Sequence, residues 1–263
     1  MKNRIIEKMI LISLSLLLLS NVSFAKENIT LDASTLIDIA GKQRMLSQRI
    51  AKDYFYVGKN IATSKADKQL KASLSEFLKI HNELTELITD SDIKNLLDFV
   101  TLSSNELKET ANKDFTLDNA HLILDLTESM LEGNQYIVDS LKEVHKLKES
   151  TILEKSARQR MLSQRIAKYY IAYQSGIKDE NTVNSMKDTV KQFSENLNIL
   201  LSNKNNSIKI DKKLKEINKL WKIVHKFYNN IEKGGLPLIV FNTTDNITKK
   251  MDEVTKLYIQ KEK

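Results

Sequence analysis

The sequence has no cysteine, one proline and six glycines, and aromatic residues make up only 6% of it. Without cysteine there can be no disulfide framework, thiolate metal site, cysteine nucleophile or lipid-modified cysteine. The scarcity of helix breakers, in a chain rich in Leu, Lys, Glu, Ile and Ala, favours long helices over sheet. So few aromatics suit thin helical bundles better than a large enzyme core. Long apolar runs are also lacking, apart from Met9–Leu19 near the start. That run follows Lys2, Arg4 and Lys8 and precedes Ser23-Phe24-Ala25, which sets small residues at −3 and −1 of a cut after Ala25. This is the layout of a secretory signal peptide. As a helix the run rises about 16 Å, well short of a hydrocarbon core of about 30 Å. Residues 1–25 are therefore expected to be removed on export, leaving a soluble periplasmic chain. An uncleaved anchor over Ile5–Ala25 is the alternative.

What is present is charge and repetition. The formal net charge is +7, and setting aside Lys2, Arg4, Lys8 and Glu7 leaves +5. That balance favours anions in general. The lysines are scattered, so no nucleic-acid footprint emerges. Gln43-Arg44-Met45-Leu46-Ser47-Gln48-Arg49-Ile50-Ala51-Lys52 recurs unchanged as Gln159–Lys168, an offset of 116. The same offset aligns Phe77 with Phe193, Asn82 with Asn198, Leu84 with Leu200, Thr127 with Thr243, Val138 with Val254 and Leu141 with Leu257. The chain thus reads as two diverged copies in which ten positions have not drifted.

Each copy reads as four helices, spaced by loop signals such as Ser64-Lys65-Ala66-Asp67 and Gly234-Gly235-Leu236-Pro237. Apolar residues recur at three and four, as in Phe77, Ile80, Leu84 and Leu87. The fold class expected is all-α: two tandem antiparallel four-helix bundles from an internal duplication, over 26–149 and 150–263. Both motif helices open with a cap-like pattern, Thr35 to Asp38 and Thr151 to Glu154. Two arrangements of the copies are open. No Gly or Pro interrupts Asn134–Ser175, which favours a continuous helix over Leu117–Ser175 and bundles stacked end to end. A turn near Lys148–Thr151 would instead pack them side by side, with Arg44 facing Arg160.

On a helix, Ala40, Arg44, Ser47 and Ala51 share one face, as do Ser156, Arg160, Ser163 and Ala167. Leu46, Ile50, Tyr54 and Val57 form the neighbouring apolar face. Small residues around the arginine let another helix approach closely, and a guanidinium at such a contact needs a carboxylate or a small anion. Two facing stripes would offer two donor forks to one planar oxyanion, each charge-assisted bond contributing about 1.5–3 kcal/mol. Arg49 and Arg165 point away and read as surface or secondary groups. An arginine on a helix is ordinarily solvated or paired with a carboxylate; the identity of the two motifs amid general drift weighs against that here. His81, His121, His145 and His225 lack metal-ligand spacing. No catalytic arrangement, cofactor or metal site is indicated, so no enzyme is expected.

The run Ala40-Gly41-Lys42-Gln43-Arg44-Met45-Leu46-Ser47-Gln48-Arg49-Ile50-Ala51-Lys52 resembles the signature of PilJ-type sensor domains, which open type IV pili methyl-accepting chemotaxis transducers. It is also similar to the P-box of nitrate/nitrite-sensing histidine kinases, through the skeleton Ala-Gly-x-x-Arg-Met-x-Ser-x-Arg. The resemblance implies a periplasmic four-helix bundle that dimerises and holds its ligand between two opening helices, through the motif's first arginine and backbone at its glycine. The candidate ligand-binding residues are then Gly41, Arg44 and Ser47, with Ala157, Arg160 and Ser163. Copy two departs from the pattern, with Ala157 for the glycine and Ser156 for the alanine. No HAMP, kinase or methyl-accepting pattern follows. The expectation is a freestanding sensory protein for a small anion, nitrate or nitrite, signalling through a separate membrane sensor kinase or chemoreceptor, with homodimerisation one route to a complete site. The alternative is a pilus- or chemoreceptor-associated helical interaction module without a small ligand.

Overall fold

A computed structural model describes residues 33–146 and 151–262, and all the regular elements among them are helical. The expected signal peptide lies outside the described residues. The α-helices are α1 (Ala33–Gly58), α2 (Thr63–Leu87), α3 (Ser91–Ala111), α4 (Leu117–Val144), α5 (Thr151–Gln174), α6 (Glu180–Ser202), α7 (Ile208–Asn229) and α8 (Pro237–Glu262). Polar caps start several of them. The side chain of Asp90 accepts the backbone N–H groups of Asp92 and Ile93, and Thr116, Asp179 and Ser207 each accept the N–H three residues on. Gly234, at φ 74, bends the chain into Pro237, whose fixed φ suits the first position of α8.

Two local expectations change. Thr35 lies inside α1 and does not cap it. The turn after α1 falls at Lys59–Ala62, not at Ser64–Asp67, with Asn60 and Ala62 both at positive φ. Neither is a glycine, so the usual sequence signal for left-handed backbone is absent.

In the first copy α1 packs on α2 and α4, and α3 on α4 and α2; in the second α5 packs on α6 and α8, and α7 on α8 and α6. Each copy is thus a four-helix ring. In addition α1 packs directly on α5, so the copies lie side by side and the stacked arrangement is overturned. The helix thought to run through the junction stops at Val144. His145 caps it, and Lys146 turns into the left-handed region at φ 51. Burial gives the physical reason for the pairing. From Gln43 to Tyr56 every residue of α1 except Arg49 is buried, and from Gln159 to Ala172 every residue of α5 except Arg165. A helix with neighbours on one side shows a stripe, whereas one buried all round needs neighbours on both.

Burial also corrects the register of the repeat. The offset of 116 holds through α2 and α6, where Ala66, Leu70, Phe77 and Leu84 match Thr182, Met186, Phe193 and Leu200. Beyond the α6–α7 loop it becomes 117. Ile93, Leu97 and Val100 match Ile210, Leu214 and Ile217, and Ile123, Leu124, Thr127, Val138 and Leu141 match Val240, Phe241, Thr244, Thr255 and Tyr258. The pairs Thr127–Thr243, Val138–Val254 and Leu141–Leu257 are therefore one residue out of step. The second copy has one extra residue in that loop, where insertion is readily tolerated.

Candidate functional site

All six candidate residues lie on α1 or α5, the two helices that pack across the copies. Gly41, Arg44, Ser47, Arg160 and Ser163 are buried and Ala157 is half-buried. Leu46, Ile50 and Tyr54 enter the core as expected, with Val57 packed at its edge. The helix that the small-residue stripe admits is the last helix of the same copy. Ser156 shares a hydrogen bond with Thr255 at 2.9 Å, and Ser163 with Thr248 at 2.6 Å. In copy one Gln48 donates to the Thr127 carbonyl at 2.9 Å. Small side chains backed by threonines bring the backbones of α5 and α8 close.

The arginines sit at the edge of this contact, 6% exposed for Arg44 and 3% for Arg160. Arg160 donates through Nη2 to Asp38 on α1 at 2.7 Å and through Nη1 to Asp252 on α8 at 2.9 Å, spanning both copies. Arg44 donates to Oε1 of Gln135 on α4. Gln135 and Asp252 are equivalent at the offset of 117, so the two arginines address the same place on their own fourth helix, a neutral amide in one copy and a carboxylate in the other. Gly41 matters to this. A Cβ built there would lie 3.2 Å from Nη2 of Arg44, so the guanidinium folds back over its own helix where the backbone is bare. At the matching position Ala157 carries a methyl group; Arg160 donates through Nε to the Ala157 carbonyl at 3.4 Å, and its Nη2 reaches across to Asp38.

A second set of contacts was not anticipated. Lys52 and Lys168, the last residues of the two motifs, have fully buried side chains. Each crosses to the other copy: Lys52 to Asp245 on α8 at 2.6 Å, and Lys168 to Glu128 on α4. Glu128 and Asp245 are again equivalent at the offset of 117. The result is a reciprocal pair of clamps, as a two-fold axis between α1 and α5 would generate. Arg165, expected to be peripheral, joins the Glu128 clamp at 2.6 Å, and the charge of Arg49 bears on Asp245 and Asp53. Neither arginine is an ordinary surface group.

Electrostatics separate the clamps. Burial works to raise the Glu128 carboxyl, but Lys168 and Arg165 overcome it and hold the group at about 2. Asp245 is likewise held below the ordinary carboxylate range, burial being outweighed chiefly by Lys52. Asp53, beside Lys52, goes the other way: burial pushes it up to about 7 against the pull of Lys52. His81, one of the histidines without metal-ligand spacing, is buried. It stacks on Phe77 and pairs with Thr101 at 2.7 Å, and burial lowers its pKa.

The invariance of Lys52 and Lys168 was the available signal for the clamps. Their acidic partners could not be found from the motif, because they lie in the opposite copy and outside the repeat's initial register.

The family model described as "PilJ: Type IV pili methyl-accepting chemotaxis transducer N-term" matches residues 30–97 and 146–244. Each matched segment includes one copy of the motif. No curated protein and no solved structure matches the chain.

Proposed function

The chain belongs to the PilJ family, the N-terminal domain of type IV pili methyl-accepting chemotaxis transducers, and on that premise we propose that it is a sensory module for a small planar oxyanion, nitrate or nitrite. The observation that carries this reading is the Arg160 guanidinium, buried between the copies and held by one carboxylate from α1 and one from α8. A carboxylate and a planar oxyanion make the same demand on a guanidinium, two in-plane acceptors. A nitrate or nitrite ion reaching this seam competes with Asp38 for Arg160 and draws on Arg44 and the bare backbone at Gly41. Ser47 and Ser163 hold the neighbouring backbone, each donating to the carbonyl of its arginine, at 3.0 and 2.9 Å. Exchanging an internal carboxylate for a free anion unties α1 from Arg160, which is a change in helix contacts that a receptor can read. The module is taken to work in the periplasm and to pass its state to a separate membrane sensor kinase or chemoreceptor.

Calorimetric titration of the chain with nitrate and with nitrite tests this. Binding in the micromolar to millimolar range is expected, lost when Arg44→Ala and Arg160→Ala are combined. Unchanged binding in the double variant would sink the reading.

One observation favours the alternative, a helical interaction module without a small ligand: Arg160 already has two carboxylates. On that reading neither anion shifts the melting temperature, and the double variant loses capture of its receptor partner.

A further inference from the structure

The reciprocal clamps differ by more than the exchange of Glu128 for Asp245. At Glu128 a single carboxylate answers two cations, Lys168 and Arg165, and Tyr169 stacks under the lysine with its ring centre 4.4 Å from Nζ. At the matching position copy one has Asp53. Its side chain is fully buried, and neither carboxylate oxygen accepts a hydrogen bond among the described residues. Lys52 Nζ lies 3.2 Å from Oδ1 of Asp53, but its donors are aimed at Asp245, 2.6 Å away, and at Gln69, 3.3 Å away. Two carboxylates thus share one buried ammonium, Asp245 at hydrogen-bond distance and Asp53 as the longer ion pair.

The surroundings supply little more. From α1 come Lys52, Arg49 and Tyr56; from α8, Asp245; from α2, Lys65, which reaches the far oxygen of Asp245 at 3.6 Å. From α5 comes Gln164, a neutral donor to Asp245 at 3.5 Å, and Tyr170 beside Tyr56. A fully buried carboxylate with only a share of one ammonium is disfavoured when ionised and is relieved by binding a proton.

We propose that Asp53 is a proton-binding site that sets how firmly the two copies are clamped at Lys52 and Asp245. With a proton on Asp53, the lysine belongs to Asp245 and α1 is tied to α8. Without it, a second buried anion contests the lysine and the tie across the copies slackens. The other clamp has no such competitor and stays closed over the same range.

The electrostatics agree. Burial places the Asp53 carboxyl near 7, Asp245 adding to the push while Lys52 and Arg49 oppose it, and 3.8 is its ordinary value. The folded chain then holds an extra proton between those values. Its stability falls as the pH rises from about 4 to about 7, and stays at the lower level above that.

The experiment uses the full chain labelled with carbon-13 at aspartate carboxyls. One carboxyl is expected to titrate near neutrality, to vanish in Asp53→Asn, and to move to lower pH in Asp245→Asn, where Lys52 is released to Asp53. Because the chain has no cysteine, spin labels at Lys71→Cys on α2 and Lys249→Cys on α8 report the distance between the copies. That distance is expected to shift between acidic and alkaline buffer, and Asp53→Asn is expected to hold the acidic value throughout. If no aspartate titrates near neutrality, or if Asp53→Asn keeps the parental pH response, the proposal is overturned. Should Asp53→Asn fail to fold, the displaced titration in Asp245→Asn decides.

Discussion

A fully buried lysine keeps its charge only beside a carboxylate, and among the described residues Lys52 and Lys168 are in that condition. Lys168 depends on Glu128, so Glu128→Gln removes the charge that balances both Lys168 and Arg165. A loss of about 2–4 kcal/mol is expected, at or just below the usual cost of breaking a buried pair because Glu128 retains some exposure. Urea unfolding measures it. Glu128 is held at about 2 in the folded chain and ionises near 4.5 when free. Its stabilisation is complete above about 4.5 and is lost as the pH falls towards 2. That part of the acid sensitivity is expected to be missing from Glu128→Gln. At Gly41 the reverse holds. Gly41→Ala raises intrinsic helix propensity by about 1 kcal/mol but moves a methyl group against the Arg44 guanidinium. The expected result is unchanged or higher thermal stability together with weaker nitrate binding, read by melting and calorimetry. At this scale the sequence was informative about one side of each contact. Arg44, Arg160, Lys52 and Lys168 all stand in the unchanged ten residues. Asp38, Asp252, Glu128 and Asp245 are ordinary acids in drifting segments; the packing of α1 on α5 makes partners of Asp38, Glu128 and Asp245, and that of α8 on α5 brings in Asp252.

Among the helices, the contact between α5 and α8 is the tightest test of the small-residue stripe. Ser163→Leu pushes two additional heavy atoms into the space shared with Thr248, and about 1–3 kcal/mol of destabilisation is expected from overpacking. Ser163→Ala, which loses only the hydroxyl, is expected to cost about 1 kcal/mol. Comparing the two melting temperatures separates packing from hydrogen bonding. Helix existence was plain from the period of apolar residues, and in α2 Phe77, Ile80 and Leu84 are buried as that period requires, whereas Leu87 at the helix end is exposed. Helix ends were less so. The turn at Asn60 and Ala62 and the stop at Lys146 use left-handed backbone without glycine; Asn60 is a weak signal for it, and Ala62 and Lys146 are none. The repeat's register slipped for a related reason. Short coincidences such as Thr127 with Thr243 mimic alignment when two threonines stand together at Thr243-Thr244, and only burial shows which one faces the core.

For the whole molecule, α1 packs on α5 within one chain, which covers the opening-helix face of both bundles. Sedimentation at micromolar concentration is expected to give a single species of one chain's mass, and a dimer whose formation depends on the motif residues would contradict it. Two bundles could be read from the sequence because the duplication is explicit there. Their arrangement could not, since an unbroken polar helical stretch at the junction is compatible with either stacking or folding back, and the difference is decided by the second buried side of α1. That seam lies within one polypeptide. A homodimer carries every substitution twice, in mirrored places, so its two halves stay alike. Here each half can change alone against an unaltered neighbour. Gly41 opposite Ala157, Gln135 opposite Asp252 and Asp53 opposite Tyr169 are such differences between the halves, which an assembly of identical subunits could not encode.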